Sequence, residues 1–220
     1  EDENLTQREL YSKRMNVNTG YRFGVPEIDD KAYFSKGQVA ILCAYTGSFK
    51  TTMAVNMAYN NAKLGHHVVY ISLEVSKVDL LYDLWSLHST DLKFRMSIEH
   101  DAIRRNKLDK KALDYLFDEI VPDFEREIAP KFTILDETEI GDFSEGTIRD
   151  FLTEIDMKNP IDIVFYDHAN LFKFYTKQKF ANVGDSINQY VSFIRRISIA
   201  FRKDSETGET KQLASVLLVQ

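Results

Sequence analysis

Apolar residues follow two rhythms along this chain. Five short runs are almost continuously apolar: Gln38 to Cys43 (QVAILC), His67 to Leu73 (HVVYISL), Lys131 to Leu135 (KFTIL), Ile161 to Tyr166 (IDIVFY) and Leu213 to Val219. Runs of this length predict strands buried on both faces. Between them the spacing changes to three and four. Residues 50–64 read as a helix stopping at Gly65, where a glycine can take the left-handed turn beyond a helix end. Ser76 predicts a cap for a helix over 77–89, with Leu80, Leu81, Leu84 and Leu87 as its apolar stripe. The charged stretch 97–128 reads as helical, with Leu113, Leu116, Phe117 and Ile120 facing inward. Helices are also expected at 145–157, through Ile148, Phe151, Leu152 and Ile155, and at about 185–203. Strands separated by helices need crossover connections, so the pattern predicts an α/β fold with a mainly parallel central sheet flanked by helices.

Residues 1–16 place Leu5, Leu10, Tyr11 and Met15 at roughly helical spacing in a polar background. They read as an amphipathic segment, packed on the domain or offered to a partner. The expected division is a linker over 1–19 and one domain over 20–220. Of the 220 residues, 44% are apolar, enough for a substantial core and too many for a disordered chain. No apolar run reaches the ~18 residues of a membrane span. A single cysteine, Cys43, excludes a disulfide framework and a cysteine-based zinc site, and fits the cytoplasm. The net charge of -6 argues against general coating of nucleic acid, though not against a local basic patch. His66 and His67 point to opposite faces of a strand, and His88, His100 and His168 have no metal-binding spacing.

With only 9 glycines in the chain, a loop that handles phosphate has little glycine to use. The segment Ala44-Tyr45-Thr46-Gly47-Ser48-Phe49-Lys50-Thr51-Thr52 joins the first strand to its helix, at the sheet edge where α/β proteins bind ligands. A loop opening a helix there can aim backbone N–H groups at a phosphate. In that frame Lys50 reaches the β- and γ-phosphates and the Thr51 hydroxyl coordinates Mg²⁺. Ala44 and Phe49 stand where the regular G-x-x-x-x-G-K-[ST] pattern has glycines. Glu74 is expected to end the second strand, directly after Ile71-Ser72-Leu73, placed to polarise a water for attack on the γ-phosphate. Asp167 is expected to end the fourth strand, after Ile163-Val164-Phe165-Tyr166, the position from which a carboxylate supports Mg²⁺. Gln220 ends the fifth, where a neutral amide can sense the γ-phosphate without competing for the metal. The ordered set implies ATP as ligand, with Mg²⁺.

These residues resemble the RecA-like ATPase domain of DnaB-type replicative helicases, most like phage or mobile-element members. Gly24-Val25-Pro26-Glu27-Ile28-Asp29 is similar to that family's TGF-x-x-LD entry, and Met53 to Ala58 to the helix after its nucleotide loop. Ser72-Leu73-Glu74-Val75-Ser76 resembles its SLEMS motif, whose Glu is the catalytic base. Asp167-His168-Ala169-Asn170-Leu171 stands where the family has DYLQL, and Leu217 to Gln220 resembles the strand ending in its switch glutamine. The resemblance covers about 20–90 and 160–220, and implies ATP hydrolysis coupled to movement on single-stranded DNA by a ring, a hexamer in the family, with replication proteins as partners. It assigns Lys50 and Thr51 to phosphate and Mg²⁺, Glu74 to water activation, Asp167 to Mg²⁺ and Gln220 to coupling with DNA. A DNA-binding loop in the ring's channel follows the Asp-bearing strand, here 170–185 with Lys173, Lys177 and Lys179.

Three departures bear on this expectation. Phe49 replaces a glycine whose backbone often has φ > 0 beside phosphate, so either the loop bends differently around Gly47 or nucleotide affinity is weakened. The family's further strands and arginine finger come after the position matching Gln220, and its scaffolding domain precedes the region matched. Arg195, Arg196 and Arg202, on a helix before the last strand, are not expected to be fingers. The alternatives are a nucleotide-binding or inactive assembly module of a replication or mobile-element system, and a RecA- or KaiC-like ATPase without unwinding.

Overall fold

The computed structural model describes residues 6, 8, 20–45, 47–141, 144–167, 183–203 and 207–219. Five parallel strands form the central sheet: β1 (Val39–Cys43), β2 (Val68–Ser72), β3 (Phe132–Asp136), β4 (Ile163–Asp167) and β7 (Ala214–Val219), with β5 (Arg202–Lys203) and β6 (Thr210–Lys211) in a separate antiparallel pair. Their order across the sheet is β1-β7-β4-β2-β3, so the last strand in the chain inserts between the first and the fourth. Register follows from alternation. Val68 and Tyr70 of β2, Ile163 and Phe165 of β4, and Val216 and Leu218 of β7 enter one core. Val69, Ile71, Val164, Tyr166, Leu217 and Val219 enter the other. Slipping any strand by one residue would exchange its two faces.

The first core is covered by α2 (Lys50–Lys63) and α3 (Lys77–Ser89), the second by α8 (Glu145–Lys158) and α9 (Val183–Ile199). A short helix, α1 (Pro26–Asp29), opens the domain, and the Asp29 carboxylate accepts the amides of Phe23 and Gly24 at 2.6 and 3.0 Å. Buried groups tie α2 and α3 to the helical middle of the chain. The Tyr59 hydroxyl lies 2.7 Å from His88 Nδ1, and His88 Nε2 lies 2.9 Å from Asp123. Burial lowers the His88 pKa, which keeps the ring neutral between its two partners. Among the described residues no helix is long and apolar enough to cross a membrane.

The α/β expectation holds, with four local corrections. β1 is not fully buried: only β7 pairs with it among the described residues, and Ile41 is 46% exposed and Cys43 exposed. The middle is broken into α4 (His100–Arg104), α5 (Lys110–Tyr115), a π-helical turn (Leu116–Ile120), α6 (Val121–Glu127) and a 3₁₀ turn. Leu116 and Ile120 are buried as expected, but Leu113 and Phe117 face solvent, Phe117 at 51%. Pro122 at the start of α6 has no N–H and crowds the carbonyl four residues back, which opens the helix to the wider turn and rotates its preceding face outward.

The helix expected to about 203 ends at Ile199. Phe201 leaves it for the core, and its amide donates to the Lys211 carbonyl at 3.0 Å, opening the β5–β6 pair where the helix is expected to continue. Arg202 therefore lies on β5, not on a helix. Asp156 of α8 holds this pair: its side chain is fully buried, accepts from Arg202 Nε and the Ile161 amide at 2.7 and 2.8 Å, and pairs with Lys211. Finally, β2 stops at Ser72, so Glu74, expected to end that strand, lies two residues beyond it on a turn, whereas Asp167 ends β4 as expected. The segment 1–16 falls almost wholly outside the described residues, so the amphipathic reading is not addressed.

Candidate functional site

The loop after β1 starts as an extension of the sheet, because the Ala44 amide donates to the Val219 carbonyl at 3.3 Å. It turns at Tyr45, whose carbonyl accepts the Ser48 amide at 3.2 Å, and passes through Gly47 at φ 76°. Thr46 lies outside the described residues. Phe49 has φ 58° and ψ 28°, the left-handed conformation anticipated for this position, and Lys50 begins α2. The loop uses Gly47 for one left-handed step and puts a phenylalanine through the other, so Phe49 takes the positive φ itself. The ring is 78% exposed, so it stands away from the loop instead of filling it.

Strain is the cost of this arrangement. A bulky residue in the left-handed region is disfavoured by about 1–2 kcal/mol. Phe49→Gly is expected to relieve about 1 kcal/mol or less, since glycine also loses more freedom on folding. Because the ring is outside the loop, ATP affinity should change less than about threefold, measured by titration of a fluorescent ATP analogue. A tenfold gain in affinity would mean that Phe49 obstructs the nucleotide.

The helix start is prepared for an anion. Ser76 and Ser144 cap α3 and α8 with side-chain oxygens, but Phe49 supplies no side-chain cap to α2. The first-turn amides of a helix lack intrahelical acceptors, and its dipole places partial positive charge there. Lys50 Nζ adds a full charge, donating to the carbonyls of Ala44 at 2.7 Å and Tyr45 at 3.1 Å across the loop. Thr51 is half-buried in the same turn and Thr52 exposed.

The carboxylates come from the same edge of the sheet, at the end of β4 and just after β2, two and three strands from β1. Tyr166 pairs with Leu217, and Leu217 with Ile41, so Asp167 stands level with Leu42, just before the phosphate-type loop leaves the sheet. Asp167 is 1% exposed and its Oδ2 accepts the Tyr70 hydroxyl at 2.8 Å. Burial, and then the Asp167 charge, push the Tyr70 pKa well above its usual value, so the phenol stays a donor. The Asp167 carbonyl accepts the Leu73 amide at 2.7 Å, joining the end of β4 to the turn that carries Glu74. Glu74 is exposed on that turn, two residues beyond β2. A hydroxyl and a carboxylate are hard oxygen ligands, the donor set that suits Mg²⁺ shared with phosphate oxygens.

The sheet thus brings Ala44, Tyr45, Gly47, Ser48, Phe49, Lys50, Thr51, Thr52, Glu74 and Asp167 to one carboxyl-terminal edge. Gln220, Lys173, Lys177 and Lys179 lie outside the described residues. Arg196 pairs with Glu145 at 2.8 Å, and Arg202 with Asp156. Sequence reading passed over Tyr70 and Asp136. Tyr70 looks like any core aromatic of β2. Asp136 ends β3 and does carry a signal, a D-x-x-E capping pattern with Glu139, which the apolar run before it obscures.

A parallel sheet with an uncapped, lysine-bearing helix start beside an acidic strand end defines a RecA-like P-loop fold. Residues 20–203 match the model of the DnaB-like helicase C-terminal domain, and the chain belongs to that family. Two solved structures share the fold. One, an ATPase domain, aligns with a TM-score of 0.70 and 18% identity, over 95% of this chain and 68% of that one. The other, a DnaB-like replicative helicase described with its interactions with primase, aligns with a TM-score of 0.69 and 17% identity. There the alignment takes in all of this chain, which spans about half (49%) of the other. No curated protein matches the sequence.

Proposed function

We propose that this domain binds and hydrolyses ATP and couples hydrolysis to movement on single-stranded DNA, as the motor of a ring-forming helicase. The observation that carries the reading is the meeting of the Lys50–Thr51 helix start with the Glu74 turn and Asp167 at one sheet edge, in a member of this family. The uncapped amides of α2 and the Lys50 ammonium take the β- and γ-phosphates. Thr51 and Asp167 hold Mg²⁺, which when bound neutralises developing phosphate charge. Glu74 accepts a proton from the attacking water, from a turn that the Leu73–Asp167 hydrogen bond joins to the end of β4. Gln220, next after β7, links the nucleotide to DNA held elsewhere in the ring. Replication proteins are partners by the same reading, which draws support from the structural neighbour described with its primase.

DNA contact is assigned to Lys173, Lys177 and Lys179, which follow β4 in the chain. Each lysine that neutralises a phosphate contributes to the salt dependence of binding, with a slope near about -0.7 per contact on single strands. Replacing all three with alanine is expected to lower the slope of log affinity against log salt by about 2 per protomer engaged, measured by fluorescence anisotropy on oligo-dT. An unchanged slope would remove this segment from the DNA path.

A further inference from the structure

We propose that Asp136, which no part of the nucleotide reading uses, is a positioning residue that sets the Glu74 turn from the neighbouring strand; this rests on Glu74 being the base.

The turn has three restraints, each from a different strand. On its incoming side the Leu73 amide donates to the Asp167 carbonyl of β4 at 2.7 Å. Across its base the Ser72 hydroxyl of β2 donates to the Val75 carbonyl at 2.6 Å and accepts the Val75 amide at 3.2 Å. On its outgoing side the Lys77 amide, first in α3, donates to Asp136 Oδ2 of β3 at 3.0 Å. Glu74 lies between the first and last of these.

Asp136 is suited to hold that side firmly. It is buried, and its second oxygen is already engaged: Oδ1 accepts the Thr138 amide at 3.0 Å and the Thr138 hydroxyl at 2.6 Å. The same side chain therefore caps α7 (Glu137–Ile140) and clamps the start of α3. Its own amide donates to Glu139 at 3.3 Å, and Glu139 reaches back to Lys77 Nζ at 2.7 Å. Burial opposes the charge, but the Thr138 hydroxyl and the Lys77 and Thr138 amides outweigh it and hold the carboxyl below the usual range. Ser72, Glu74, Ser76, Asp136 and Thr138 line a cavity of about 170 Å³. Placement of a catalytic group is worth large factors in rate, because small displacements remove it from reach of its proton.

The Lys77 amide can be removed with little other change. Lys77 occupies the first helical position, where proline is favoured and no intrahelical bond is lost. Ser76 has φ -64° and ψ 153°, which a following proline accepts. K77P deletes the donor to Asp136, and K77A, which keeps the amide and loses only the exposed ion pair with Glu139, is its baseline. Steady-state ATP turnover of the full chain should show K77P at least about tenfold below K77A in kcat, with KM changed less than about twofold. In the E74Q background K77P should cause no further loss, since both act through one group. D136N, which presents an amide N–H to one of the two donor sets, should behave as K77P does and stands in for it if K77P melts early. Equal kcat for K77P and K77A, or losses that multiply with E74Q, would overturn the inference while leaving Glu74 as the base. Wild-type turnover in E74Q would instead overturn the assignment of Glu74, and this inference with it.

Discussion

Asp156→Ala is expected to destabilise the domain by about 3 kcal/mol, the low end for breaking a buried ion pair. The side chain is wholly buried, and its removal strands Arg202 and Lys211, which are only partly open to water. It also takes the acceptor from the buried Ile161 amide, just before β4. For a domain of this size the melting temperature should fall by roughly 10 °C. The sign of the pH dependence follows from the carboxyl's environment. Burial raises its pKa, but Lys211, the Ile161 amide and Arg202 outweigh burial and hold it below the ordinary value. Its contribution is therefore complete above about pH 4, the unfolded value, and is lost as pH falls through the lower folded one. The gap in melting temperature between wild type and Asp156→Ala should be full at about pH 7 and narrow below about pH 4. A constant gap would mean that packing, not charge, is what Asp156 supplies.

Glu74→Gln is expected to lower ATP turnover by about 10²–10⁴-fold, the usual contribution of a general base. The substitution keeps the size of the side chain and leaves Ser72, Leu73 and Val75 to hold the turn. ATP affinity should stay within about threefold, because in the proposed mechanism the phosphates are assigned to Lys50 and the start of α2, not to Glu74. Equilibrium binding and turnover, measured on one preparation, separate the two effects. Loss of binding together with turnover would place Glu74 among the groups that hold the nucleotide.

Much of the sheet, and the placing of the candidate residues at its carboxyl-terminal edge, was legible because each rested on local pattern. The five apolar runs are five strands, the Ser76 hydroxyl caps one helix, and Gly65 follows the end of another at φ 97°. What escaped depended on distant partners or on a single disruptive residue. The two-residue strands β5 and β6 have no periodicity of their own and are held by Asp156, 46 residues before Arg202 and 55 before Lys211. Pro122 alters the pitch of residues on its N-terminal side, so Phe117 left the face its spacing assigns. Tyr70 became visible only when register brought β2 beside β4, and the reach of Asp136 to the start of α3 only when β3 lay beside β2, although its capping pattern is local. Phe49 was noticed as a departure, yet the consequence depended on where its ring stands, which spacing does not say.

The nucleotide motor reading is tested most directly by ATP turnover in the presence of Mg²⁺, with and without single-stranded DNA, for wild type and Lys50→Ala. Wild type is expected to turn over ATP at a rate that DNA increases, and Lys50→Ala to lose that turnover with its melting temperature kept. Turnover that is insensitive to DNA, or equal in the two proteins, would contradict the reading.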